Sequence, residues 1–186
     1  MNRSRRGLMV ALGGLVGLAN VRSAAAATSA RLINQQADQA LHSLYSTQPK
    51  ARLLAQKAKA ILIFPRIVKA GLIVGGQGGD GVLRAGGKSL GYYNIAAASF
   101  GLQAGVQRFS YALFFMTDSA LDYLQRSDGW SIGSGPSVVV MDKGTAASIT
   151  STTISQDVYA FPFGQHGLMA GLGLEGSKIT KLQLDP

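Results

Sequence analysis

Between Ile61 and Asn94 the chain reads ILIFPRIVKAGLIVGGQGGDGVLRAGGKSLGYYN, strong strand formers interleaved with nine glycines in 34 residues. A glycine inside a strand costs roughly 0.5–1 kcal/mol against alanine, so each should mark a turn, a bend or a close backbone approach. Gln77-Gly78-Gly79-Asp80-Gly81 and Ala85-Gly86-Gly87-Lys88 are expected as hairpin turns, joining runs centred on Leu72-Ile73-Val74, Val82-Leu83-Arg84 and Leu90-Gly91-Tyr92-Tyr93. The segment reads as a tight antiparallel meander.

Two phosphate-loop patterns in this stretch fail on context. Gly76-x-Gly78-x-x-Gly81 has the dinucleotide spacing, but Val82-Leu83-Arg84-Ala85-Gly86-Gly87 cannot open the helix that the fingerprint requires. From Gly81 to Gly87-Lys88-Ser89 there are five intervening residues where a Walker loop needs four, and a strand follows instead of a helix. Nucleotide hydrolysis is not expected.

The N-terminus belongs to another category. Arg3, Arg5 and Arg6 precede an apolar run from Gly7 to Val21, followed by the small residues Ser23-Ala24-Ala25-Ala26-Ala27. This is the layout of a cleavable export signal over residues 1–27, its apolar run too short for the ~20 residues of a spanning helix. Ser4-Arg5-Arg6-Gly7-Leu8-Met9 fits the twin-arginine pattern, and an ordinary secretory signal with adjacent arginines fits as well. Either route leads out of the cytoplasm, to a periplasmic or otherwise exported protein, soluble or peripherally attached to the envelope. The chain has no cysteine, hence no disulfide, thiolate metal site or cysteine-linked lipid. Removing the four signal arginines lowers the formal charge from +9 to +5, which favours anionic partners; outside the cytoplasm these are lipid headgroups before nucleic acid.

Residues 28–186 should form one domain. Ile33, Ala37, Leu41 and Leu44 mark a helix from about Ser29 or Ala30 to Tyr45. A second is expected to be capped by Thr47 and to run to about Ala60, with Ala51, Leu54, Ala55 and Ala58 on its inner face. Pro65 should divide two short elements meeting at an angle, and a short helix capped by Thr117 or Asp118 should end near Arg126. The remainder, including Ala146 to Thr153 and Leu168 to Leu174, reads as antiparallel strands. The expected fold is therefore α+β: a curved antiparallel sheet or small barrel with two N-terminal helices and one mid-chain helix.

G-L-x-x-G occurs three times, as Gly71 to Gly75, Gly101 to Gly105 and Gly167 to Gly171. Within strands these pairs would leave bare patches on one face, for close packing or for an acyl chain. Between Asp38 and Asp80 there is no acid, whereas Lys50, Arg52, Lys57, Lys59, Arg66 and Lys69 all fall there. These six are the lipid-binding candidates.

Phe64-Pro65-Arg66, Lys69-Ala70-Gly71, Gly91-Tyr92-Tyr93-Asn94, Gly101-Leu102-Gln103-Ala104-Gly105 and Leu113-Phe114-Phe115-Met116-Thr117-Asp118 resemble, in order, the blocks of the SYLF-domain family. Asp128-Gly129-Trp130 and Gly167-Leu168-Met169-Ala170-Gly171 extend the resemblance over almost the whole chain after the signal. It implies a single lipid-binding domain; eukaryotic relatives engage phosphoinositides at actin patches, and bacterial relatives are commonly exported envelope proteins. The export signal points to the second branch and to anionic phospholipid.

Catalytic constellations are absent from the sequence. His42 and His166 do not form a ligand pair, Asp118 and Asp122 are better explained by helix capping and solvation, and no serine lies in a G-x-S-x-G elbow. Trp130, Tyr92, Tyr93 and Phe161 read as core or sheet-face residues. The expectation is a non-enzymatic binder of anionic membrane lipid without cofactor or metal. The alternative is a structural envelope protein acting through a protein partner.

Overall fold

The computed structural model describes residues 13–71, 74–100, 105–141, 154–167 and 176–184. Its elements are α1 (Gly13–Thr47), α2 (Ala51–Lys57), β1 (Ala60–Gly71), β2 (Val74–Ala85), β3 (Lys88–Phe100), β4 (Gly105–Phe115), α3 (Asp118–Arg126), β5 (Trp130–Ser131), β6 (Val138–Val140), β7 (Val158–Gly167) and β8 (Lys178–Leu182). Among the described residues the strands form one curled sheet in the order β5-β8-β3-β2-β1-β4-β7-β6. Among the described strands only β6 and β7 pair in parallel. This is the expected α+β architecture with a curved, mainly antiparallel sheet.

Strand alternation sends side chains to two separate cores. Leu62, Phe64, Ile67, Phe109, Tyr111 and Leu113 pack on one face with Ala120 and Leu124 of α3 and with Trp130. Ile63, Val82, Tyr92, Ala112, Phe114 and Phe161 pack on the other, beneath Ala37 and Leu44 of α1 and Ala51 and Leu54 of α2. The sheet is apolar on both faces because helices cover both.

Helix α1 continues without interruption across Ala24–Ala27, residues of high helix propensity. It therefore begins earlier than the apolar periodicity alone suggests. Helix α2 is shorter than expected: Thr47 closes α1 by donating to the Ser43 carbonyl at 2.9 Å, Lys50 occupies the N-cap, and the chain becomes extended at Ala58. Its small inner face, with Ala51 and Leu54 fully buried, is as the sequence indicates.

The first glycine-rich turn is displaced. Gln77–Gly81 is not a turn; all five residues lie inside β2, and the first hairpin reverses between Gly71 and Val74. Glycines inside this strand answer a bulge in β1 at Pro65–Arg66, where the register against β2 and β4 shifts. A Cβ on Gly79 would collide with the Arg66 carbonyl, and one on Gly81 with the Ile63 carbonyl and the Phe64 ring. Pro65 thus bulges one continuous strand and does not separate two elements. The second hairpin is as read, with Gly86 and Gly87 at φ +55° and +80°.

A polar contact fixes α1 across the sheet. Arg84 donates to both the carbonyl and the side-chain oxygen of Asn34, at 2.9 and 2.8 Å; Ser89 donates to the same side-chain oxygen, and Asn34 donates to the Tyr92 hydroxyl at 2.6 Å. Asp38 pairs with the same guanidinium. Asn34→Ala leaves a half-buried cation short of acceptors, so a loss of about 2 kcal/mol is expected in urea denaturation.

Thr117 caps α3 through the Ala120 amide and donates to Asp157, which also accepts from the backbone and hydroxyl of Ser137 at 3.1 and 2.9 Å. These bonds, chiefly those from Ser137, hold the Asp157 carboxyl below its usual range. A depressed carboxyl stabilises the fold above its unfolded value and loses that contribution as pH falls through the folded one. The wild-type thermal midpoint should therefore fall on acidification below the ordinary aspartate range, with a shallower fall in Asp157→Asn.

Candidate functional site

The bulge in β1 has a counterpart across β4. Arg108 of β4 pairs with His166 of β7 and Ser110 with Phe163, so β7 carries one extra residue at Gly164–Gln165, where Gly164 adopts φ +63°. A proline that needs no ladder donor permits one bulge, and a glycine that accepts a left-handed conformation permits the other. Ser110 fixes the first by donating to the Pro65 carbonyl at 2.7 Å. The two irregularities lie on the strands either side of Arg108, and Arg66 and His166 line one groove with it.

Together with Gln36, Gln39 and Ser43 of α1, these three residues line a groove of about 360 Å³ between the helix and the sheet. Arg66, Arg108 and His166 are exposed at its mouth, while Ser110 and Phe163 form a buried floor. Among the described residues no carboxylate lines it, and neither arginine has an ion-pair partner. Two guanidiniums sharing an acid-free groove repel one another and favour an anion between them. Their planar donor forks suit phosphate oxygens, and the groove has the size of a small ligand site.

The six basic residues singled out in the sequence do not form one patch. Lys50, Arg52 and Lys57 belong to α2 and its cap, at the end of the sheet where β1 starts and β4 finishes. Lys59, at that end too, pairs with Asp118 at 2.9 Å, both side chains largely exposed, an interaction worth little in itself. Arg52 lies over the Tyr45 ring, 5.6 Å from its centroid; burial raises the Tyr45 hydroxyl pKa, and the arginine partly offsets this. Arg66 is in the groove. Lys69, half-buried, stands roughly 30 Å along β1 from Lys59.

The described glycine candidates sit at or beside strand ends. Gly71 pairs with both Gly75 and Gly105, forming a row across β2, β1 and β4, and a Cβ on Gly71 would lie 2.6 Å from the Gly75 Cα. Gly167 is the last residue of β7. Gly101 and Gly171 lie outside the described residues, as do the runs expected as strands over 146–153 and 168–174. Gly71, Gly75, Gly105 and Gly167 mark one end of the sheet, where basic residues adjoin them: Lys69 before Gly71, Arg108 after Gly105 and His166 before Gly167.

From the sequence Arg108 is not singled out, and His166 figures only as one of two histidines that form no ligand pair. A local signal for the second exists in Phe163-Gly164-Gln165-His166, which repeats the aromatic, breaker, basic order of Phe64-Pro65-Arg66. Among the described residues no helix is long and apolar enough to cross a membrane, a statement that leaves spanning strands aside. Nor do three His, Asp or Glu residues there come together as a metal site.

A curled sheet covered by helices, with an acid-free basic groove beside α1, defines an α+β domain suited to holding an anion. Residues 96–183 match the family model Ysc84, described as Las17-binding protein actin regulator, the SYLF family whose blocks the sequence resembles. No curated protein matches the chain. The matched span contains Arg108 and His166; Arg66, β1 and β2 precede it but complete the same sheet and groove.

Proposed function

We propose that this protein binds anionic phospholipid at the cell envelope without chemical turnover, holding the headgroup phosphate in the groove of Arg66, Arg108 and His166. The observation that carries this reading is one groove lined by two guanidiniums and an imidazole, with no carboxylate lining it and no ion pair to either arginine among the described residues. The match of residues 96–183 to the Ysc84 family model, with the lipid binding that the SYLF resemblance implies, supports it at the coarser level of a binding domain.

Export is part of the proposal. Among the described side chains Ala30 is the first buried one, and Ala27 and Ser29 are exposed, so cleavage near Ala27 preserves every described core contact. The family's description names Las17 binding and actin regulation. Export would place the domain beside envelope lipid, away from the cytoplasm, so lipid is the partner proposed for it.

Vesicle co-sedimentation tests the proposal. Binding to phosphatidylglycerol vesicles should exceed binding to phosphatidylcholine vesicles, and the excess should shrink in about 1 M salt, where the screening length is only about 3 Å. Equal binding to both lipids at both salt concentrations would sink it. Absence of lipid binding, with a protein partner retained through detergent, would favour the alternative of an envelope protein acting through that partner.

A further inference from the structure

Helix α1 does not cover the whole of its sheet face. Toward the end marked by Gly71, Gly105 and Gly167, Ala70, Gly76, Ala96 and Ala98 are exposed. Val74 and Val106 are 64% and 56% exposed, the two highest values among the large apolar side chains described. The bulge in β1 exchanges its parity, so Arg66, Val68 and Ala70 point to the same face as Arg108 and Val106, the partners of Val68 and Ala70. Gly76 pairs with Ala70, and Val74 lies two residues beyond it on the same face. Single exposed valines need no explanation; here they stand on the two strands flanking β1, at one end of the sheet.

The cations lie directly behind this rim. Val106 and Arg108 are two residues apart on one strand and one face, about 7 Å, and His166 is the cross-strand partner of Arg108. Peripheral proteins bury an apolar face about 5–10 Å into the boundary between headgroups and acyl chains. The spacing from rim to cations falls within that depth.

We infer that this end of the sheet enters an anionic bilayer, with Val74 and Val106 among the upper acyl-chain carbons and Arg66 and Arg108 level with the phosphates. The inference rests on the phospholipid reading and adds an orientation to it. Helices α2 and α3 then face away from the bilayer, about one strand length from the surface.

The chain has one tryptophan, Trp130, buried against Phe115 at the far end of β4. A Val106→Trp variant therefore places a second reporter on the rim while the wild type reports the distal end. With vesicles of phosphatidylglycerol and phosphatidylcholine brominated on their acyl chains, the added tryptophan should be quenched and blue-shifted, and Trp130 of the wild type should not. The Val74→Ser, Val106→Ser double variant should bind the same vesicles roughly tenfold less tightly or weaker, with little left in high salt. A folded Val106→Trp protein that binds like wild type without quenching overturns the inference and leaves the lipid reading intact. Loss of its binding also counts against insertion, because tryptophan is favoured at the bilayer interface. Failure of the wild type to bind any vesicle removes both.

Discussion

Replacing Gly81 with valine is expected to cost about 3 kcal/mol or more, whereas the same change at Gly76 should be close to neutral. Gly81 is buried opposite the bulge in β1, and its added Cβ would meet the Ile63 carbonyl and come within 2.6 and 2.9 Å of two Phe64 ring carbons. Phe64 is fully buried in the α3-side core, and the carbonyl belongs to the central strand, so neither can yield without moving the bulge. At Gly76 the nearest atom to an added Cβ is the Ala97 carbonyl oxygen at 3.6 Å, an ordinary contact, and the position is exposed. A loss of about 3 kcal/mol in a chain of this size lowers the thermal midpoint by roughly 6–12 °C. Equal midpoints for the two variants would show that the bulge does not press on β2.

The second large effect is on binding. Arg66→Glu with Arg108→Glu should reduce affinity for phosphatidylglycerol vesicles by roughly 30-fold or more, since each cation near an anionic surface contributes about 1 kcal/mol and reversal adds repulsion. Both side chains are exposed, so the variant should retain its wild-type denaturation midpoint. A Lys57→Glu, Lys59→Glu variant separates the groove from the α2 end of the basic cluster of the sequence. Lys57 and Lys59 sit at the distal end, Lys59 already beside Asp118, so this variant should retain most of the anionic preference. Vesicle co-sedimentation of the two variants beside wild type checks both expectations.

Much of the fold was legible because its signals are local. The periodicity of Ile33, Ala37 and Leu44, the small inner face of α2 and the Thr117 cap each depend on neighbours within a few residues. The glycines were harder because one residue type serves two purposes. Gly79 and Gly81 are bare to admit the backbone of a neighbouring strand, while Gly71 and Gly75 flank a chain reversal. Which purpose applies depends on a bulge set by Pro65, more than ten residues away.

The candidate site was legible only in part for the same reason. Counting charge along the sequence found Arg66 but grouped it with lysines that an extended strand and a separate helix carry apart. Arg108 and His166 lie 42 and 100 positions after Arg66 and join it only through the β1-β4-β7 pairing and its two bulges. Strand order, a long-range property, assembles the groove.

Titration with a short-chain phosphatidylglycerol below its micelle concentration, followed by backbone amide NMR, tests the site most directly. The largest shifts should fall on Arg66, Arg108, His166 and the neighbouring Ser43 turn of α1, and they should vanish in the Arg66→Glu, Arg108→Glu variant. Shifts confined to Lys50–Lys57, or no saturable shift in the groove, would contradict the assignment of the lipid headgroup to this site.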